Sequence, residues 1–126
     1  MMPVPMIAIV DDDNDVRVAL ASLVQSLGYE VRTYGSGVEF LQESLDGDPA
    51  CMIADVQMPS MSGDELQRQL LKAGRRIPMI FMTGFPTEAV RNRVLEAGAV
   101  CFLNKPADGD VIIQCLEEAL EIGAAQ

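Results

Sequence analysis

The sequence contains no histidine, and this absence excludes several kinds of chemistry from the chain. Without histidine there are no imidazole metal ligands, no catalytic pairs of Ser with His or Cys with His, and no phosphohistidine. Any phosphohistidine that reacts with this chain therefore belongs to another protein.

Basic residues and long apolar runs are also scarce. There are 9 Lys and Arg residues against 19 Asp and Glu, a formal net charge of −10 that repels phosphate backbones. Every apolar run ends well short of the roughly 18 residues that span a bilayer, and the first residues carry no basic region typical of a secretory signal. We expect a cytoplasmic protein with no direct contact with nucleic acid or membranes.

Cysteine is present in an odd number and without the spacing of metal or redox motifs. Cys51, Cys101 and Cys115 each lie in an apolar stretch, and no CxxC pair occurs. This pattern favours buried, reduced thiols over a metal site or a disulfide.

Short apolar runs alternate with longer segments of helical period, and the whole chain, 1–126, reads as one domain. The alternation predicts an α/β fold with a single doubly wound parallel sheet and helices on both faces. The more polar second strand, EVRTY, is the expected edge, whereas the other four are apolar on both faces. Strands are predicted near 6–10, 30–34, 50–54, 78–82 and 100–104, and helices near 16–27, 37–45, 62–73, 87–97 and 111–120.

Chemically active side chains follow four of the predicted strands at their carboxyl ends. In an open parallel sheet these ends meet at one edge, where ligands bind. A residue among 13–15 is expected to cap the next helix instead, and a lone Thr or Lys at such a place is usually structural. Their occurrence together favours a functional site that comprises Asp11, Asp12, Asp13, Asp55, Thr83 and Lys105.

The electrostatics of this edge require a cation. Two carboxylates about 4 Å apart repel by roughly 1 to 4 kcal/mol, and a third adds to this. Because only oxygen ligands are available, Mg²⁺ suits the site, with Lys105 as a second positive charge. A phosphoryl group between these charges would have its developing charge neutralised, and Asp55 is its natural acceptor.

Four segments together resemble one known family over essentially the whole chain. IAIVDDDNDVR, MIADVQMPSMSGDEL, IFMTG and AGAVCFLNKP occur in the order and spacing found in response regulator receiver domains, to which the bacterial chemotaxis receiver belongs. The resemblance implies a flavodoxin-like sheet of five strands, in the order 2-1-3-4-5, flanked by five helices. It also implies a cis bond between Lys105 and Pro106.

The resemblance further implies a set of metal ligands. Asp55 is the phosphorylated residue and one of these ligands. Asp12 looks like a direct Mg²⁺ ligand and Asp11 like one that acts largely through water. The backbone carbonyl of Gln57 would be the remaining protein ligand.

Other positions look like the family's switch. Lys105 would pair with the phosphoryl oxygens, and the Thr83 hydroxyl would move to them once Asp55 is modified. Phe102 stands at the position of a switching aromatic residue, although a core role fits it nearly as well. Phe85 is expected at the mouth of the site, where its ring either hinders an attacking water or packs against the fourth helix.

A two-component receiver of this kind works with protein partners. The implied donor is a sensor histidine kinase or a histidine phosphotransfer protein, and the chain would catalyse only its own phosphorylation and dephosphorylation. The strand-five segment is similar to receivers that precede helix-turn-helix outputs in nitrogen-fixation and nitrate regulators. The expected output is a separate protein, or a missing output domain, with phosphorylation-dependent homodimers as a further form; we favour a stand-alone receiver.

Two alternatives belong to other classes. DDDND also fits the nucleophile motif of haloacid-dehalogenase-like phosphatases, in which Asp11 would be the nucleophile and Asp13 the general acid. That alternative leaves ADVQMP unexplained. The second is a pseudo-receiver, an interaction module that is never phosphorylated.

Overall fold

Five strands alternate strictly with five helices in the part of the chain that the structure describes. The computed structural model describes residues 4–43 and 47–125. The elements in chain order are β1 (Met6–Val10), α1 (Asn14–Ser26), β2 (Glu30–Tyr34), α2 (Gly37–Gln42), β3 (Cys51–Asp55), α3 (Gly63–Lys72), β4 (Met79–Thr83), α4 (Glu88–Glu96), β5 (Cys101–Asn104) and α5 (Gly109–Ala125).

All strand pairs in the sheet are parallel, and the strand order is β2-β1-β3-β4-β5. This order and the edge position of β2 confirm the predictions. The expectation that β5 is apolar and covered on both faces is wrong, because its residues 101–103 are only half-buried and Asn104 is exposed. The fifth strand is the second edge, so it has one neighbouring strand and less cover from the helices.

Alternate side chains along the central strands pack into two separate apolar layers, one on each face of the sheet. Ile7 and Ile9 of β1 pack with α1 and α5, whereas Ala8 and Val10 pack on the opposite face with α2, α3 and α4. Leu66, on the buried side of α3, is fully enclosed in the second layer. Each fully buried aliphatic side chain contributes roughly 1.5–3 kcal/mol, so the two layers hold the strands in one register.

The helix ends agree closely with the sequence signals. Asp13 caps α1, its side chain accepting hydrogen bonds from the backbone N–H groups of the first turn, and Thr87 caps α4 in the same way. Gly28 follows α1 with a φ of 93°, a conformation that side chains disfavour. The second helix ends at Gln42, earlier than predicted, and the predicted end at Leu45 lies outside the described residues.

The cysteine prediction is wrong for two of the three residues. Cys101 on β5 and Cys115 on α5 form a disulfide, with Cα atoms 6.3 Å apart. Both side chains meet in the apolar layer beneath α5, a contact that their separation of 14 residues does not reveal. Cys51 is free and buried, and burial raises the pKa of its thiol to about 12.

Two further expectations concern the backbone. The bond between Lys105 and Pro106 is cis, as the resemblance implied. Within residues 4–43 and 47–125, no helix has both the length and the apolar composition required to cross a membrane.

Candidate functional site

The predicted functional residues converge at the carboxyl edge of the sheet. Asp11 directly follows β1, Asp55 ends β3, Thr83 ends β4, and Lys105 directly follows β5. The backbone N–H of Lys105 donates to the carbonyl oxygen of Thr83 over 2.8 Å, which ties the ends of β4 and β5 together. Parallel strands therefore bring residues almost a hundred positions apart to a single edge.

Three carboxylates form a compact cluster at this edge. Asp11, Asp12 and Asp55 each offer an oxygen atom within 4.8 Å of the others. Asp11 and Asp55 are buried, with 2 % and 5 % of their surface exposed, whereas Asp12 is exposed. Two carboxylates are thus withdrawn from water while the third faces it, an arrangement of hard oxygen donors that fits a cation approaching from solvent.

Lys105 is the cation that the chain itself supplies to this cluster. Its Nζ lies 2.8 Å from Oδ2 of Asp11 and 3.2 Å from Oδ1 of Asp55. Burial alone would lower the pKa of Lys105, but its hydrogen bond to Asp11 and the charges of both carboxylates raise it above the ordinary value. One ammonium against three carboxylates leaves the cluster short of positive charge.

The pKa of Asp55 reflects this shortage. Burial and then the charge of Asp11 raise this pKa, Lys105 opposes both, and the charge of Asp12 raises it by a smaller amount. The net result is a pKa of about 6 against an ordinary value of 3.8. Ionisation of Asp55 in the folded protein is therefore unfavourable, and an additional cation at this edge would favour it.

We predict that Asp55→Asn stabilises the metal-free protein at neutral pH and has little effect in acid. The Asp55 carboxyl has a pKa of 3.8 in the unfolded chain and of about 6 in the folded protein. Its ionisation therefore lowers the folding stability as pH rises through this window. Above the window the loss reaches up to about 3 kcal/mol. Urea unfolding with a chelator at pH about 4 and about 7.5 measures the difference, with the exposed Asp15→Asn as control. A difference independent of pH would contradict this explanation.

Backbone contacts hold the first acidic residues in place. Arg17, on α1, donates from Nη1 to the backbone carbonyl oxygen of Asp11 and from Nη2 to Asn14. The backbone N–H of Asp13 donates to Oδ1 of Asp11 over 2.9 Å. The helical period of this segment gives no signal of this role for Arg17.

Gly63 lets the start of α3 approach the end of β3 closely. Its N–H donates to the carbonyl oxygen of Val56 over 2.9 Å, and a Cβ at this position would collide with the backbone carbonyl oxygen of Asp55. Any larger residue would displace the strand end that carries Asp55. Sequence reasoning missed this requirement, although the glycine lies within the MPSMSGDEL segment.

Thr83 and Phe85 belong to a hydrogen-bonded network with the side chain of Gln57. The Thr83 hydroxyl donates to Oε1 of Gln57 and accepts from the backbone N–H of Phe85 over 3.0 Å. Thr83 is fully buried, whereas the residue Phe85 is 76 % exposed. The alternative that Phe85 packs against the fourth helix does not fit this exposure.

Phe102 lies between the apolar core and a surface groove. Its ring is half-buried, packs against the layer that contains Val94, and lines a groove with Pro86 and Arg91 beside α4. This position is compatible with either of its predicted roles.

The backbone carbonyl of Gln57 as a metal ligand stays a prediction.

Comparison with known proteins identifies the family. The model of the response regulator receiver domain matches residues 7–117. The chain is 39 % identical over 121 residues to Response regulator protein TodT of Pseudomonas putida, covering 96 % of the chain and 53 % of TodT. It is 36 % identical over 118 residues to Transcriptional regulatory protein FixJ of Azorhizobium caulinodans, covering 94 % and 56 %. The chain therefore spans about half the length of these curated relatives.

Solved structures agree with this assignment. A structure titled as FixJ-N superimposes with a TM-score of 0.85 at 36 % identity, covering 95 % of this chain and 96 % of that one. The response regulator StyR gives a TM-score of 0.90 at 35 % identity, covering 98 % of this chain and 62 % of StyR. The family match includes every strand end that carries a candidate residue. The chain thus belongs to the response regulator receiver domains of two-component systems.

Proposed function

We propose that Asp55 accepts a phosphoryl group from a phosphohistidine of a partner protein in a reaction that depends on Mg²⁺. The observation that carries this proposal is the contact of Lys105 with both Asp11 and Asp55, at 2.8 Å and 3.2 Å, beside the exposed carboxylate of Asp12. One edge of the sheet thus holds the buried proposed acceptor Asp55, the ammonium group of Lys105 and further carboxylate oxygens that could bind a metal ion.

The donor set fits magnesium better than softer metals. Asp11, Asp12 and Asp55 provide oxygen only, and the predicted Gln57 carbonyl would add another oxygen. When bound, Mg²⁺ supplies positive charge to the phosphoryl oxygens and to the crowded carboxylates. Its site would be open to solvent on the side of Asp12.

The chain's own residues account for the remaining chemistry. An oxygen of the Asp55 carboxylate attacks the phosphorus atom, a P–O bond forms as the P–N bond to histidine breaks, and the imidazole leaves and takes up a proton. Lys105 neutralises charge on the phosphoryl oxygens, and the Thr83 hydroxyl donates to one of them. Hydrolysis of the acyl phosphate by water later restores Asp55 and releases inorganic phosphate, so the proposed chemistry comprises the chain's own phosphorylation and dephosphorylation.

Signal output is proposed to depend on a partner. FixJ, of which this chain covers 56 %, is described as a transcriptional regulatory protein, so either an additional domain or a separate protein could receive the signal. We propose that the donor is a sensor histidine kinase or a histidine phosphotransfer protein in the cytoplasm. Phosphorylation would alter the face near Phe102 and α4, where a partner or a second copy of the chain could bind.

Incubation with a small acyl phosphate tests the proposal directly. Intact-mass spectrometry should detect one added phosphoryl group in the presence of Mg²⁺ and none with a chelator. Absence of any incorporation in a folded protein would favour the pseudo-receiver. The phosphatase alternative is disfavoured. Asp13, its proposed general acid, instead caps α1 and accepts two backbone hydrogen bonds there.

A related prediction concerns the lifetime of the phosphorylated form. The exposed ring of Phe85 lies two residues beyond Thr83, where it would hinder a water approaching the acyl phosphate. Misplacing an attacking atom by about 1 Å can cost about a hundredfold in rate, and partial hindrance about tenfold. Phe85→Ala and Phe85→Glu should therefore speed autodephosphorylation, whereas Val18→Ala, an exposed control on α1, should not. Equal or slower decay in both Phe85 variants would exclude hindrance by the ring.

A further inference from the structure

The side chain of Gln57 bridges Thr83, at the end of β4, and Phe85, on the loop that leads to α4. Its Oε1 accepts the hydrogen bond of the Thr83 hydroxyl, and its Nε2 donates to the backbone carbonyl oxygen of Phe85 over 3.5 Å. The two contacts fix the orientation of the amide, because the carbonyl oxygen of Phe85 can only accept and therefore faces Nε2, which leaves Oε1 to accept the proton of the Thr83 hydroxyl. The oxygen of the same hydroxyl accepts from the backbone N–H of Phe85. All three groups thus form one closed network.

The number of protons in this network limits what Thr83 can do. A threonine hydroxyl has one proton, and here that proton is directed to Gln57. A phosphoryl oxygen on Asp55 can only accept a hydrogen bond, so it requires the same proton. The bond from Thr83 to Gln57 and the bond from Thr83 to a phosphoryl group therefore exclude each other.

We propose that Gln57 is a positioning residue that holds Thr83 and the following loop in the unphosphorylated arrangement. The inference rests on the proposed phosphorylation of Asp55. Phosphorylation must break the Gln57 bond to recruit Thr83, and the same event weakens the hold of Gln57 on the carbonyl of Phe85. The loop then leads directly to Thr87, the cap of α4, so release of the network reaches the start of that helix.

The expected size of the effect follows from the exposure of Gln57. Gln57 is exposed whereas Thr83 is buried, and one hydrogen bond between such an amide and a hydroxyl shifts an equilibrium by about three- to tenfold. Removing the amide should therefore favour the arrangement in which Thr83 serves the phosphoryl group. The effect should vanish when Thr83 has no hydroxyl.

Binding of beryllofluoride, a phosphoryl analogue used in one structural neighbour titled as a BeF3-activated receiver, provides the test. Fluorine NMR at saturating Mg²⁺ would compare wild type, Gln57→Ala and the exposed control Gln69→Ala. We expect Gln57→Ala to bind about three- to tenfold more tightly and Gln69→Ala to match wild type. The shift of the Phe85 amide resonance in analogue-free Gln57→Ala should report loss of the network.

A double-mutant cycle separates this role from a general effect on the site. In a Thr83→Ala background, Gln57→Ala should change beryllofluoride affinity less than twofold, because no hydroxyl proton is left to compete for. Unchanged or weaker binding by the single variant, or the same gain without the Thr83 hydroxyl, would overturn the proposal while the phosphorylation site stands. Failure of the wild type to bind the analogue at all would overturn both this proposal and the proposed function.

Discussion

Lys105→Met should slow the Mg²⁺-dependent phosphorylation of this chain by about a hundredfold, in line with the loss of one preorganised donor at a developing charge. Lys105 is the positive side chain that contacts both Asp55, the proposed acceptor, and its neighbour Asp11. Methionine keeps the approximate length and apolar stem but cannot neutralise phosphoryl oxygens. The rate of incorporation from an acyl phosphate, followed by intact mass, measures the effect.

Lys72 supplies a matched control for this substitution. It is the other lysine of the chain and lies exposed at the end of α3, away from the carboxyl edge of the sheet. Lys72→Met changes net charge equally and should leave the rate within about twofold of wild type, since exposed charges are well screened. Equal slowing by both variants would attribute the effect to net charge and contradict the role of Lys105.

Asp12→Ala should weaken Mg²⁺ binding by about ten- to a hundredfold. A carboxylate about 4 Å from a cation contributes roughly 1 to 4 kcal/mol, and the water that replaces it brings no charge. Asp12 suits the test because it takes no part in the ion pairs of Lys105 with Asp11 and Asp55, so the variant keeps those contacts. Because the Asp12 side chain is exposed, its removal should leave the packing of the core unchanged.

Calorimetry is the suitable measurement, because the chain has no tryptophan to report metal binding by fluorescence. Asp15→Ala is the control, since it removes the same charge from an exposed acidic residue in the first turn of α1. We expect it to keep nearly the affinity of wild type. Unchanged affinity in Asp12→Ala would overturn its assignment as a ligand.

The sheet and the candidate site were predictable because the sequence encodes them locally. Each central strand is an apolar run bounded by turn residues, and the first four helices each start after a capping side chain, as at Asp13 and Thr87. Once the strands are parallel, the residue after each strand must lie at the same edge, which brings Lys105 to Asp11 and Asp55. The strand order itself came from the family resemblance.

Features that depend on packing between distant segments were not predictable. The pairing of Cys101 with Cys115 arises from the way α5 covers the edge strand β5, and neither residue carries a local signal of it. The half-buried state of β5 likewise depends on which strand has only one neighbour. The contact of Gln57 with Thr83 joins the loop after β3 to the end of β4, 26 residues further along the chain, and a polar residue on a loop gives no sign of its partner.

Identification of the phosphorylated residue tests the central claim most directly. The protein is incubated with a small acyl phosphate as donor and Mg²⁺. The aspartyl phosphate formed on the protein is then trapped by hydride reduction, and its position is mapped by peptide mass spectrometry. We expect modification at Asp55 alone in the wild type and none in Asp55→Asn. Modification at Asp11 that persists in Asp55→Asn would contradict the account and favour the phosphatase mechanism.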